Sequence, residues 1–151
     1  MSVQENATLI RTIHALYDAG DLARCVELAT PDVEWVLIPL GETYRGLEGF
    51  REVLQNWNTA FPDAKTPISS LIIAEDGAAD EFTYQGTHTG PLAVSGGPIP
   101  PTGQRVDFKV CHTMQIRDGK FAAIRTYFDS ATLMRQLGVL PASAEAATAS
   151  R

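Results

Sequence analysis

The chain has 151 residues, of which 44% are hydrophobic, 20% charged and 8% aromatic. That balance suits one globular domain and excludes a disordered tail, a collagen-like repeat and a membrane span, which needs roughly 18 uninterrupted apolar residues. Twelve Lys and Arg against eighteen Asp and Glu leave a formal charge of −6, which repels phosphate backbones and argues against a nucleic-acid partner.

Residues 1–8 lack the basic-then-apolar run of a signal peptide. Leu9, Ile10, Ile13, Leu16 and Tyr17 then recur at helical spacing and predict a helix over 4–19. Gly20 ends it, and Asp21 is a good N-cap for a short helix carrying Leu22, Val26 and Leu28. Pro31 stops that helix, and 33–38 reads as a strand. A loop over 41–46 leads to a third helix, with Leu47, Phe50, Leu54, Trp57 and Phe61 on one stripe, closed by Pro62-Asp63. Strands are expected over 67–75, 81–88, 105–116 and 121–128, with a glycine- and proline-rich loop over 90–103. A loop that long is usually functional or a lid. A short helix over 130–137 ends at Gly138, and the Ala- and Ser-rich 141–151 is expected to be a disordered tail. Helices segregated from antiparallel strands indicate an α+β fold, with a single domain over 1–140. Cys25 and Cys111 lie far apart and match no metal spacing, as reduced thiols of a cytoplasmic protein would.

The strand over 105–116 is the most informative. Val106, Phe108, Val110, His112, Met114 and Ile116 share one face, so His112 is its one polar side chain. The following turn, Arg117-Asp118-Gly119-Lys120, permits two registers. A two-residue turn pairs His112 with Arg125. A three-residue loop pairs it with Ile124, puts Ala122, Ile124, Thr126 and Phe128 on the His112 face, and leaves Phe121 and Tyr127 outward. The second keeps the face apolar and is preferred; a one-residue slip would invert it. His112 is then either an acid/base group in a pocket or a hydrogen-bonded core histidine. In the strand over 33–38, only one of Glu34 and Trp35 faces inward, and an inward Glu34 would be a candidate base. Arg125 and Asp129 are expected to pair on the outer face.

Several short motifs in order resemble the SnoaL-like polyketide cyclases, within the nuclear transport factor 2-like superfamily that includes ketosteroid isomerase. They are Asp18-Ala19-Gly20-Asp21, Phe61-Pro62-Asp63, Gly86-Thr87-His88-Thr89-Gly90 and Pro100-Pro101-Thr102-Gly103. Arg117-Asp118-Gly119-Lys120, Tyr127-Phe128-Asp129 and Gln136-Leu137-Gly138 complete the set. The resemblance implies a cone: a curved, mostly antiparallel sheet wrapped around N-terminal helices, with an apolar pocket inside. It also implies a homodimer packed through the outer sheet face.

Cyclases of this type close rings by an aldol step, with an aspartate as acid/base near a pocket histidine. The resemblance places the histidine at His112 and puts Thr126 where the aspartate would stand. The carboxylates of the related isomerase and epoxide hydrolase are likewise missing at 36–38, 81–83 and 126. A threonine hydroxyl cannot serve as general base near neutral pH, but it can orient a carbonyl or a water. His112 and Thr126 are therefore the expected catalytic pair. Trp35, Trp57, Phe61, Tyr84, Val110, Met114 and Phe128 are the expected substrate-binding wall, with His14 and His88 at its edge. No cofactor and no metal are expected. The reading is a pocket protein for a small, apolar, oxygenated molecule such as a polyketide- or steroid-like carbonyl compound. It would be a cyclase-, isomerase- or hydratase-type enzyme, or alternatively a non-catalytic binding or dimeric interaction module.

Overall fold

The computed structural model describes residues 2–140; the tail expected over 141–151 lies outside the described residues. Helix α1 (Val3–Asp18) starts at Ser2, whose hydroxyl accepts the Glu5 N–H at 3.0 Å. Its inward face buries Leu9, Ile10 and Tyr17 but also two polar side chains, Asn6 and His14. Asp21 caps the short α2 (Leu22–Val26) by accepting the Arg24 N–H.

Strand β1 (Ala29–Leu37) begins earlier than expected and runs through Pro31. A proline cannot donate to a ladder, and the pairing of β1 is irregular between Ala29 and Glu34, where Pro31 lies. A single turn at Ile38–Leu40, ended by Gly41 with φ +64°, sends the chain back as a strand, β2 (Glu42–Arg45), where a loop was expected. Helix α3 (Gly46–Ala60) buries Phe50, Leu54 and Trp57 of the apolar stripe read from the sequence, together with Val53; Leu47 is exposed, and Phe61 is buried at the C-cap just past the helix. Four further strands follow, β3 (Ile68–Ile73), β4 (Gly77–Thr87), β5 (Arg105–Arg117) and β6 (Lys120–Phe128), and then α4 (Ser130–Gln136).

The fold is α+β. Its six strands form one curled, unclosed sheet in the order β2-β1-β6-β5-β4-β3, antiparallel except between β1 and β6. The parallel β1–β6 contact places Trp35 opposite Ile124 and Leu37 opposite Thr126, so two distant segments meet on the inner face.

The β5–β6 hairpin combines both expected registers. The turn has two residues, Asp118 and Gly119, both at positive φ, as the twist of a tight hairpin requires. That is the shorter of the two turns. Ile116 pairs with Phe121, but Gln115 pairs with Ala123, so Ala122 is an extra residue in a β-bulge. The bulge shifts the pleat once. His112 therefore faces Thr126, not Ile124 or Arg125, and Ile124, Thr126 and Phe128 point inward with it. Phe121, expected outward, is fully buried on the inner side of this shift.

Other expectations on the outer face change too. Glu34 points out and pairs with Arg45, while Trp35 is buried. Arg125 and Asp129 do not pair: Arg125 Nε donates to Tyr127 Oη, and Asp129 caps α4 through the Ala131 N–H.

Candidate active site

Between α1, α3 and the inner sheet face lies a cavity with about 100 Å3 open to the centres of water-sized molecules. Its walls are almost wholly apolar. Trp35, Trp57, Tyr84, Val110, Met114 and Phe128 line it, as do His14, His112 and Thr126. Phe61 and His88 do not. Both are fully buried outside it, with their rings tilted at 34° to each other and centroids 5.3 Å apart.

His88 is held by local structure. Its Nδ1 accepts the Thr102 backbone N–H at 3.2 Å and lies 3.0 Å from Thr102 Oγ1. Burial lowers its pKa, which suits a neutral ring. The flanking glycines have steric reasons. A Cβ on Gly90 would sit 2.0 Å from the Thr59 carbonyl oxygen at the end of α3, and one on Gly86 would press on Phe61. Thr87 donates through both its N–H and its hydroxyl to Asp63. Three of the short motifs thus meet to dock the end of α3 and the loop over 90–103. Leu92 of that loop is buried and pairs with Ile99, and none of its residues lines the cavity.

The polar groups of the cavity form a different cluster. Asp80 on β4 is fully buried between two histidines. His14 Nε2 lies 2.9 Å from its Oδ2. Its Oδ1 accepts the His112 backbone N–H at 3.1 Å and lies 3.4 Å from His112 Nδ1. Burial alone would raise the Asp80 carboxyl, but the charges and hydrogen bonds of His112 and His14 outweigh it. They hold the group well below the usual carboxylate range.

The cavity therefore does contain a carboxylate, which the motif comparison had implied was lost. It comes from β4, one residue before the stretch 81–83, which is among the places where the resemblance looked for one. Alternation could have found Asp80, since Phe82 and Tyr84 both point inward on the same strand. Thr66 and Tyr17 were also missed. Thr66 lies before β3, where no periodicity applies, whereas Tyr17 was read only as part of the core stripe of α1.

Thr126 sits across the sheet from His112 and accepts the indole N–H of Trp35 at 2.8 Å. This leaves its own proton free to donate into the cavity. Tyr17 and Tyr84 add a second polar point, with their hydroxyls 2.6 Å apart and both pKa values raised by burial. His14, Asp80 and His112 present ligand atoms within 4.8 Å of one another, a set that could hold a divalent cation. In this structure the same atoms are engaged with one another through hydrogen-bond and ion-pair contacts.

The family model for SnoaL-like polyketide cyclases matches residues 7–137. The chain belongs to this family. Among curated proteins none matches it. Solved structures agree with the family in shape. TsrD from Streptomyces laurentii is 27% identical with a TM-score of 0.79, over 93% of this chain and 99% of that one. AclR from Streptomyces galilaeus, described as a candidate hydroxylase, is 25% identical with a TM-score of 0.78, over 93% and 100%. IdmH from Streptomyces antibioticus, described as a candidate polyketide cyclase, is 26% identical with a TM-score of 0.71, over 89% and 99%. Members of such a family are small-molecule pocket proteins, and no described helix of this one is long and apolar enough to cross a membrane.

Proposed function

We propose that this SnoaL-like protein is a cofactor-independent acid/base enzyme acting on a neutral, apolar carbonyl compound of polyketide type. One observation carries this reading. His112 stands in an apolar cavity with Nδ1 turned to a buried carboxylate, which leaves Nε2 as the proton acceptor. In the reaction, Nε2 takes a proton from the carbon next to the carbonyl, and the electron pair moves onto the carbonyl oxygen. The Thr126 hydroxyl donates to that oxygen, its orientation set by the Trp35 indole. Asp80 steadies the imidazolium that results. The enolate then attacks a second carbonyl or is reprotonated elsewhere, which gives ring closure or isomerisation.

Two features support a neutral substrate: the almost wholly apolar wall, and the compensation of Asp80 by the histidines beside it. The description of IdmH as a candidate polyketide cyclase suits a ligand of polyketide type. We further propose a homodimer through the outer sheet face, where Tyr127 is exposed.

The test is deuterium exchange at carbons next to the carbonyl, followed by proton NMR across a panel of polycyclic aromatic ketones. The wild type should catalyse exchange in at least one of them, and His112→Ala should lower the rate by about 10² or more. Equal rates in the two proteins would refute the reading. Tight binding with no exchange in the wild type would favour the non-catalytic module.

A further inference from the structure

We propose that Tyr17 and Tyr84 form a second subsite of the cavity, one that accepts a hydrogen bond from a ligand hydroxyl, so that the ligand is a hydroxy ketone held at two separate levels. The inference rests on the proposed ketone reading and narrows its substrate class. It starts from where the chain puts its polar groups. Asp80, His112 and Thr126 stand level with one another across β4, β5 and β6. Tyr84 lies four residues further along β4, opposite Phe108. On α1, His14 meets Asp80, and Tyr17, three residues on, meets Tyr84. Four strand residues span about 13 Å and three helical residues about 5 Å, which brackets the spacing of the two levels.

Counting protons shows what the second level can offer. Each phenol has one proton to donate and can also accept. Burial raises both pKa values, so each hydroxyl keeps its proton. Tyr84 Oη lies 3.4 Å from the Trp57 carbonyl oxygen, which can only accept, so the Tyr84 proton goes there. The two hydroxyls are 2.6 Å apart, and the proton between them must then come from Tyr17. Both protons are thereby spent inside the protein, and the pair has only lone pairs left for a ligand.

The Thr126 level is the reverse. Its hydroxyl accepts the Trp35 indole N–H and keeps a proton to give. A ligand that reaches both levels needs an acceptor at one end, the carbonyl oxygen on Thr126, and a donor at the other. The rings packed on Tyr84, those of Trp57, Phe61 and Phe108, favour a neutral donor, a hydroxyl. Tyr17 and Tyr84 thus determine specificity and orientation and take no part in the proton transfer.

The experiment is calorimetric titration of the full chain with matched probes. These are tetralone, its phenolic hydroxy derivative and the methyl ether of that phenol, and the same three compounds built on tricyclic tetrahydrophenanthrenone. In at least one series the wild type should bind the hydroxy ketone about fivefold tighter than the parent ketone, the worth of one net hydrogen bond. The methyl ether, which cannot donate, should bind no better than the parent. Tyr17→Phe should remove the difference between hydroxy ketone and parent. Tyr84→Phe frees the Tyr17 proton, so the ether should gain and the preference for hydroxyl over ether should vanish. Equal affinities in the wild type would overturn the inference, as would an ether that binds as tightly as the phenol. So would a Tyr17→Phe variant that keeps the preference. The wild-type ranking decides even where a variant fails to fold. Ranked binding without proton exchange would remove the proposed enzyme and leave this subsite standing, and exchange without ranking would do the reverse. A wild type that binds none of the probes would overturn both.

Discussion

Two buried histidines of this molecule, His88 and His14, look alike by burial and differ in what surrounds them. His88 Nδ1 is met by a backbone donor, the Thr102 N–H, so a proton there would set two donors against each other. His14 is met on both nitrogens by oxygens that accept. The first ring is a neutral strut that pins a loop, and the second ties a buried carboxylate to α1 beside the cavity. Burial tells that a histidine is engaged. Whether its partners donate or accept tells what it does.

The contrast can be broken from either side. The largest effect is expected in the His88 region from Gly90→Ala, where the new Cβ would meet a backbone oxygen that cannot move aside. Chemical denaturation should show a loss of about 3 kcal/mol. In the His14 region, Asp80→Asn should cost about 2 kcal/mol at neutral pH, in the range of hydrogen bonds to charged groups. The sign of its pH dependence follows from the lowered pKa of Asp80. Stability from a depressed carboxyl is present above its unfolded pKa, about 3.9, and is lost as the pH falls toward the folded value. The gap between wild type and variant should therefore shrink below about pH 4, as read by denaturant midpoints. The same variant should slow ketone exchange.

The smallest effect, about 1 kcal/mol, is expected from His88→Gln. The His88 pKa is lowered by burial, so its neutral form is the one the fold favours. Wild-type stability should decline as the pH falls below the unfolded value of about 6.5, and the advantage over the variant should narrow there. Ketone exchange at neutral pH should be unchanged. A rate that followed His88→Gln rather than Asp80→Asn would reverse the assignment of the two regions.

Much of the scaffold is legible in the residues themselves. The apolar stripe of α3 and the inward face of β5 follow from period alone, and His112 emerged as the exception on that face. Asp80 was missed because Gly77-Ala78-Ala79 has little strand character, so β4 appears to begin one residue after it. Its burial is tolerated only because His14 and His112 arrive from other elements, which no local pattern reveals. The contact between Trp35 and Thr126 has the same origin, since it depends on the parallel pairing of β1 with β6. β2 was read as a loop because glycines bound four residues whose partner strand lies earlier in the chain.

The bulge at Ala122 has a consequence of its own. Downstream of it β6 carries two interleaved sets of side chains, one with Ile124, Thr126 and Phe128 and the other with Arg125 and Tyr127. One uncounted residue near the hairpin tip selects which set the cavity reads. Chain length at the rim is thus a chemical variable: removal of that one residue would turn Arg125 and Tyr127 toward the cavity in place of Ile124, Thr126 and Phe128.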